Sequence, residues 1–318
     1  MHSVCTIAKV PPCRFPCPFI RSPKEIRLHF AELKRMNCVP AALIAIWALN
    51  AYAEVGVGDC ATCHCAIYEE WSSSLHALAC DSPVFVYKKE KSTSAGRSSC
   101  DCHSPETVAG KEMDAAPAAR QDSRQSGIDC LSCHVDAGQT IWSSAEPLYV
   151  PHWTNQAERY SGAEFCAGCH RWADGNKFDC RKCHMPSVDG AAADAGHADD
   201  GSVRTHRSHR MSGSRDPVML ASGAEMAVTG NGDSLSVAIT NLVLAHSFPV
   251  SAHHSLILAV TSPDGSDRLW ERKVKLEANA TMRLSAPAGE NTVVELRYYP
   301  SAEVWPDSFY LLQRIDTR

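Results

Sequence analysis

No apolar stretch of the 318-residue sequence reaches the about 20 residues that a membrane-crossing helix takes. The most marked run, Val39 to Leu49, has 11. Positive charge is also in deficit, with 31 Lys and Arg against 36 Asp and Glu and a formal charge of −5, which argues against nucleic acid as a partner. Strand-like alternation is scarce from residue 54 to about 212, so that part is expected to be irregular and short-helical. Cysteine is absent after Cys183, and nowhere does a Cys-x-x-Cys run into Lys.

Cysteine is otherwise abundant, at 16 residues, and eight of them fall in one repeated pattern. The pattern reads Cys60-Ala-Thr-Cys63-His64, Cys130-Leu-Ser-Cys133-His134, Cys166-Ala-Gly-Cys169-His170 and Cys180-Arg-Lys-Cys183-His184. Two thiols one helical turn apart reach the two vinyl groups of a haem, and the adjacent His lies under the iron, so Cys-x-x-Cys-His marks a c-type attachment site. Zinc ribbons and disulfide pairs are the bland alternatives. Zinc needs ligands in sets of four and does not require His after every second Cys. Four regular motifs thus predict four c-type haems.

An irregular Cys100-Asp101-Cys102-His103 stands between the first and second regular motifs. Three readings are open: a fifth haem on both thiols with strained geometry, a fifth haem on Cys102 alone, or none. The flanking residues resemble the other sites and favour a fifth haem. Cys65, Cys80 and Cys100 are then spare, and a disulfide between two of them is one use for them.

The first 53 residues read as a leader, with Lys34-Arg35-Met36 as a basic n-region, the 11-residue apolar run, and Ala51-Tyr52-Ala53 as a cleavage site. Met36 is a candidate true start. Export suits the chemistry, because thiols are joined to haem outside the cytoplasm; a periplasmic or extracellular location is expected. Without the leader, 24 basic and 34 acidic residues remain, a formal charge of −10.

Downstream of the first motif, Ile67, Trp71, Leu75 and Leu78 recur at helical spacing and predict a helix over about 66–79 carrying His76. Ala109 to Gly127 lacks periodicity and reads as a surface loop. From about Asp216, stretches at 226–229, 234–240, 255–261, 292–299 and 309–315 alternate or run apolar, with Asn231-Gly232 and Asp264-Gly265 as turns. An antiparallel β-sandwich is expected there. The fold class is therefore α+β: a haem-cored domain over 54–214 and a β-sandwich over 215–318.

A low-spin haem takes a second axial ligand. Five motif histidines (His64, His103, His134, His170, His184) face eight other candidates: His76, His152, His197, His206, His209, His246, His253 and His254. An all bis-His set is therefore within reach. His206 and His209 are spaced for one helical face, with His209 preferred as ligand; His76, His152 and His246 complete the preferred set. His246 lies in the β-region, so its ligation would join that region to the haem array.

With Trp71-Ser-Ser-Ser-Leu-His76, Gly127-Ile-Asp-Cys-Leu-Ser-Cys-His134, Cys180-Arg-Lys-Cys-His-Met-Pro186 and Ala245-His246-x-x-Pro249, the chain resembles tetrahaem and pentahaem cytochromes c of anaerobic respiration, in motif style those like cytochrome c-554. Its haem array followed by a β-domain is similar to subunits of extracellular cytochrome filaments. The resemblance implies an axial role for His246, although Ala245 and Val250-Ser251 depart from the group's Gly and Thr-Gly. It also implies an electron carrier with redox protein partners as donor and acceptor, a membrane-associated quinol-side donor among the candidates. A reductase of a small nitrogen or sulfur oxyanion and a homo-oligomeric or filament subunit are the alternatives; the carrier reading is preferred to an enzyme.

Overall fold

A computed structural model describes residues 56–91, 101–111, 117–143, 154–162, 164–170, 178–193, 205–231, 233–251, 253–289 and 291–317. The leader, Cys100, His152 and His197 lie outside the described residues. The chain is mixed α+β, with short helices and several antiparallel sheets.

Short helices fill the first half: α1 (Val57–Cys63), α2 (Cys65–Ser72), α3 (Pro83–Lys91), α4 (Cys130–His134), α5 (Glu164–Ala167) and α6 (Arg181–His184). The two-stranded pairs β1–β2 (Ile141–Ser143, Thr154–Gln156) and β3–β4 (Ser187–Asp189, Thr205–Arg207) lie among them. Helix α4 starts where Asp129 accepts from the Ser132 amide at 2.9 Å, a local N-cap. Helix α2 ends earlier than its apolar spacing predicts. The Ser72 and Ser73 hydroxyls donate to the Glu69 and Glu70 carbonyls at 3.0 and 2.9 Å, which offers the backbone an alternative to another helical turn. His76 therefore sits in the turns after the helix, and Leu78 is exposed.

Helix α7 (Pro217–Ser222), capped by Asp216, leads into strands β5 (Ala224–Asn231), β6 (Ser234–Asn241), β7 (Ser255–Thr261), β8 (Arg268–Val274), β9 (Thr281–Pro287), β10 (Val293–Tyr299) and β11 (Tyr310–Asp316). They form a four-stranded sheet ordered β11-β10-β7-β8 and a three-stranded sheet ordered β5-β6-β9, with every pairing antiparallel. In β6, Leu235, Val237, Ile239 and Asn241 are buried in alternation, whereas β10, between two neighbours, is buried at all seven positions.

Strands β8 and β9 escape the sequence expectation. Arg268-Leu-Trp-Glu-Arg-Lys-Val274 is exposed at five of seven positions and so carries little apolar signal. Both sheets contribute to one apolar cluster, including Leu220, Val237, Ile239, Leu258, Leu296 and Leu312. Ahead of residue 214 the described buried apolar residues are few and mostly small: Trp71, Ala77, Ala79, Val108, Ala109, Val135 and Tyr160.

Candidate metal centre

Each regular motif is one helical turn. The His64, His170 and His184 amides donate to the carbonyls of Cys60, Cys166 and Cys180 at 2.9, 2.9 and 3.0 Å, while Cys130 to His134 forms α4. The two thiols of each motif consequently lie one turn apart. By contrast, Cys102-His103 lies in a non-helical turn.

Three motif histidines stand opposite a histidine from elsewhere in the chain. His170 and His76 have ring centroids 6.1 Å apart, His134 and His209 6.2 Å, and His184 and His246 6.3 Å, with interplanar angles of 38°, 37° and 26°. Two imidazoles bound from opposite sides to one metal, with metal–nitrogen bonds of about 2 Å, have centroids about 6.3 Å apart. Distance alone would also suit a loose aromatic pair. The second ring nitrogen narrows the choice. Nδ1 of His134 lies 2.8 Å from the Trp142 carbonyl, that of His184 2.6 Å from Ser212, that of His209 2.8 Å from Arg207 and that of His246 2.9 Å from Ser247. A carbonyl only accepts, so Nδ1 carries the hydrogen and Nε2 keeps its lone pair, the usual arrangement of a metal-ligating histidine.

Electrostatics agree. Desolvation, followed by neighbouring imidazoles, holds His76 and His209 down to about 4, and desolvation also lowers His134, His170 and His246. These rings are held neutral at physiological pH. Burial pushes Cys133 up to about 12 and Cys166 up to about 11. Those thiols are uncharged at physiological pH. Among the described residues no group of three or more His, Cys, Asp and Glu is arranged to hold a metal ion by itself.

Several elements converge on these rings. Trp142 on β1 accepts from His134 and anchors its own indole Nε1–H on Asp136 at 2.8 Å. Tyr160 stacks on His134 at 5.7 Å, its hydroxyl donating to the Cys133 carbonyl. The His246 turn is tied to β6 by Asn241, whose fully buried amide donates to the His246 carbonyl at 3.1 Å and to the Glu277 carbonyl at 3.0 Å. His76 is held by the approach to α4: its carbonyl accepts from the Ile128 amide at 2.9 Å, and Trp71 Nε1–H donates to the Ile128 carbonyl at 2.7 Å.

The motifs also approach one another. The Cys60 and Cys130 thiols share a hydrogen bond, as do those of Cys166 and Cys180.

Three expected placements differ. His206 and His209 do not share a helical face, because Thr205–Arg207 is strand β4; His206 pairs across to Val188 with its Nδ1 3.2 Å from the Gly190 carbonyl. Residues 117–127 are more than a surface loop, since Arg120 pairs with the buried Asp129. Cys63 and Cys65 are both disulfide-bonded. A sulfur cannot hold a disulfide and a thioether together, so attachment at Cys63 requires that bond to be reduced first.

His64 and His103 direct Nδ1 to the carbonyls of Ala192 and Ala79 at 2.6 and 3.0 Å. The His103 ring stacks on Phe85 at 4.0 Å. Sequence reasoning missed Phe85, Asn241 as a clamp and the Arg120–Asp129 pair. Of these, only Asp129 had a local signal, as a capping residue ahead of Cys130. The backbone carbonyls that hold the rings have none.

The donor set fits c-type haem: cysteine pairs on helical turns, a His beside each pair and, at three of them, a second His across a metal-sized gap. No protein-family model and no curated protein matches the chain. In fold it is similar to a solved structure, a penta-heme cytochrome c552 from Thermochromatium tepidum, with a TM-score of 0.59 at 16% identity over 83% of this chain and 98% of that one.

Proposed function

We propose that this protein is an exported multihaem cytochrome c that passes single electrons along closely spaced, mostly bis-His haems. The observation that carries the reading is the set of three metal-spaced histidine pairs, each joining a motif histidine to a distant one. The fold likeness to a penta-heme cytochrome supports it. Haem iron between two imidazoles supplies a one-electron couple. The chain supplies the rest. Cys60 with Cys63, Cys130 with Cys133, Cys166 with Cys169 and Cys180 with Cys183 hold four haems, and Cys102, with or without Cys100, holds a fifth above His103. His76, His209 and His246 serve as distal ligands to the groups on His170, His134 and His184, and His152 remains the candidate for another.

The hydrogen-bonded thiols Cys60 with Cys130 and Cys166 with Cys180 bring attachment points of successive carriers side by side, which short-range electron transfer needs. On this reading residues 54–214 form the haem domain and 215–318 a β-sandwich that contributes His246. The partners are redox proteins, a donor and an acceptor, outside the cytoplasm. Among the described residues no helix is long and apolar enough to cross a membrane. Intact mass of the mature protein tests the reading: four or five covalent haems are expected, and none would overturn it.

One observation favours a second reading, a reductase of a small nitrogen or sulfur oxyanion. Among the described residues His103 meets Phe85 and no opposing histidine, which suits a centre with an accessible side. A resting high-spin signal equivalent to one haem would support the reductase; uniformly low-spin spectra would leave the carrier.

A further inference from the structure

We propose that Glu70 is the positioning residue for His209, fixing the ligand opposite His134 and setting the field at that centre; this rests on the haem reading above. Glu70 lies on α2, directly after the first motif, 139 positions from His209 in sequence. Its side chain is only 15% exposed. A carboxylate so nearly buried needs donors, and among the described residues no Lys or Arg pairs with it. Its donor is the backbone amide of His209, at 2.8 Å from Oε2. His206 Nε2 stands 3.6 Å from the same oxygen, beyond hydrogen-bond reach, and is itself buried without a hydrogen-bond partner.

The arrangement assigns separate tasks to three side chains. His209 follows the end of β4 by two residues, and its ring is held from one side by the Arg207 carbonyl. Glu70 holds its backbone from the other side, through a charge-assisted hydrogen bond of the stronger kind. His206, kept on β4 by its pairing with β3, walls the carboxylate in. Glu70 thus ties the helix that follows the first motif to the histidine pair at Cys130–His134, and the Cys60 and Cys130 thiols of those two motifs already touch. It also places one negative charge beside the His134–His209 pair, which favours the oxidised, more positive state of a metal held there.

The test compares Glu70→Gln and Glu70→Ala in the full, haem-loaded chain with wild type, by intact mass, low-temperature electron paramagnetic resonance and a spectrally resolved redox titration. The Gln variant keeps an acceptor oxygen for the His209 amide but loses the charge. It is expected to stay low-spin with the midpoint of one haem moved upward and the others unmoved. The Ala variant loses both, and is expected to add a high-spin signal equivalent to one haem, the same haem that His209→Ala converts. If the Ala variant does not fold, the midpoint shift in the Gln variant still decides. Unchanged midpoints in the Gln variant overturn the proposal, as does an Ala variant that stays fully low-spin. Wild-type protein without covalent haem overturns the haem reading itself, which intact mass detects separately.

Discussion

An imidazole taken out of water loses the hydration of its charged form, so it stays neutral and offers one lone pair. Which nitrogen offers it depends on what the other touches. At His134, His184, His209 and His246 a carbonyl takes Nδ1–H, so ligation through Nε2 is prepared at each. His206 resembles His209 in sequence but stands on a strand, with Glu70 across from its Nε2. His209→Ala is therefore expected to convert one haem per molecule to high spin, while His206→Ala leaves the ligation pattern intact; optical and paramagnetic resonance spectra distinguish them. His246→Ala should likewise convert one haem, the one on His184, without reducing the covalent haem count by mass. The histidine supply was legible in the sequence. The pairing was not, because each pair joins residues dozens of positions apart, and a local pattern holds no information about such a contact.

At the scale of elements, the approach to α4 is the tightest joint in the first half. Gly127 has φ of +60°, and a Cβ there would lie 2.6 Å from the Ala77 carbonyl oxygen and closer still to that of His76. Gly127→Ala forces a side chain into a backbone conformation, φ 60° and ψ −133°, that is nearly restricted to glycine, adding about 1–3 kcal/mol to that collision, and displaces the turn that presents His76. A lowered melting temperature and loss of low-spin character at the haem on His170 are expected together. Asp129 caps α4 and pairs with Arg120, their side chains 1% and 16% exposed. Asp129→Ala leaves that guanidinium largely buried without its partner and is expected to cost about 3–5 kcal/mol, measured by denaturant unfolding. Glycine and the capping Asp were visible in the sequence, whereas the early end of α2 was not. Apolar spacing predicted a longer helix, and three successive serines, whose hydroxyls compete for backbone carbonyls at Ser72 and Ser73 and for a backbone amide at Ser74, carried the contrary signal.

For the whole molecule, the apolar cluster draws its members from residues 220–312. The first half has few large buried side chains of its own, and on the proposed function porphyrins fill that role. Chain prepared without haem is accordingly expected to keep amide-exchange protection in the strands between Ala224 and Asp316 and to lose it in α1, α2 and α4, as read by hydrogen exchange and mass spectrometry. Protection of both halves alike would overturn the idea of a haem-dependent core. By itself the sequence determined the features whose cause is local: thiols one turn from each other with His adjacent, the caps, and the strands whose side chains alternate in burial. Only the tertiary structure decided which histidine faces which, that Glu70 and Asn241 hold two of those histidines, and that the exposed β8 and β9 complete the sheets. Those outcomes depend on packing between distant segments, where the partner's position, and not the residue's neighbours in sequence, sets the energy.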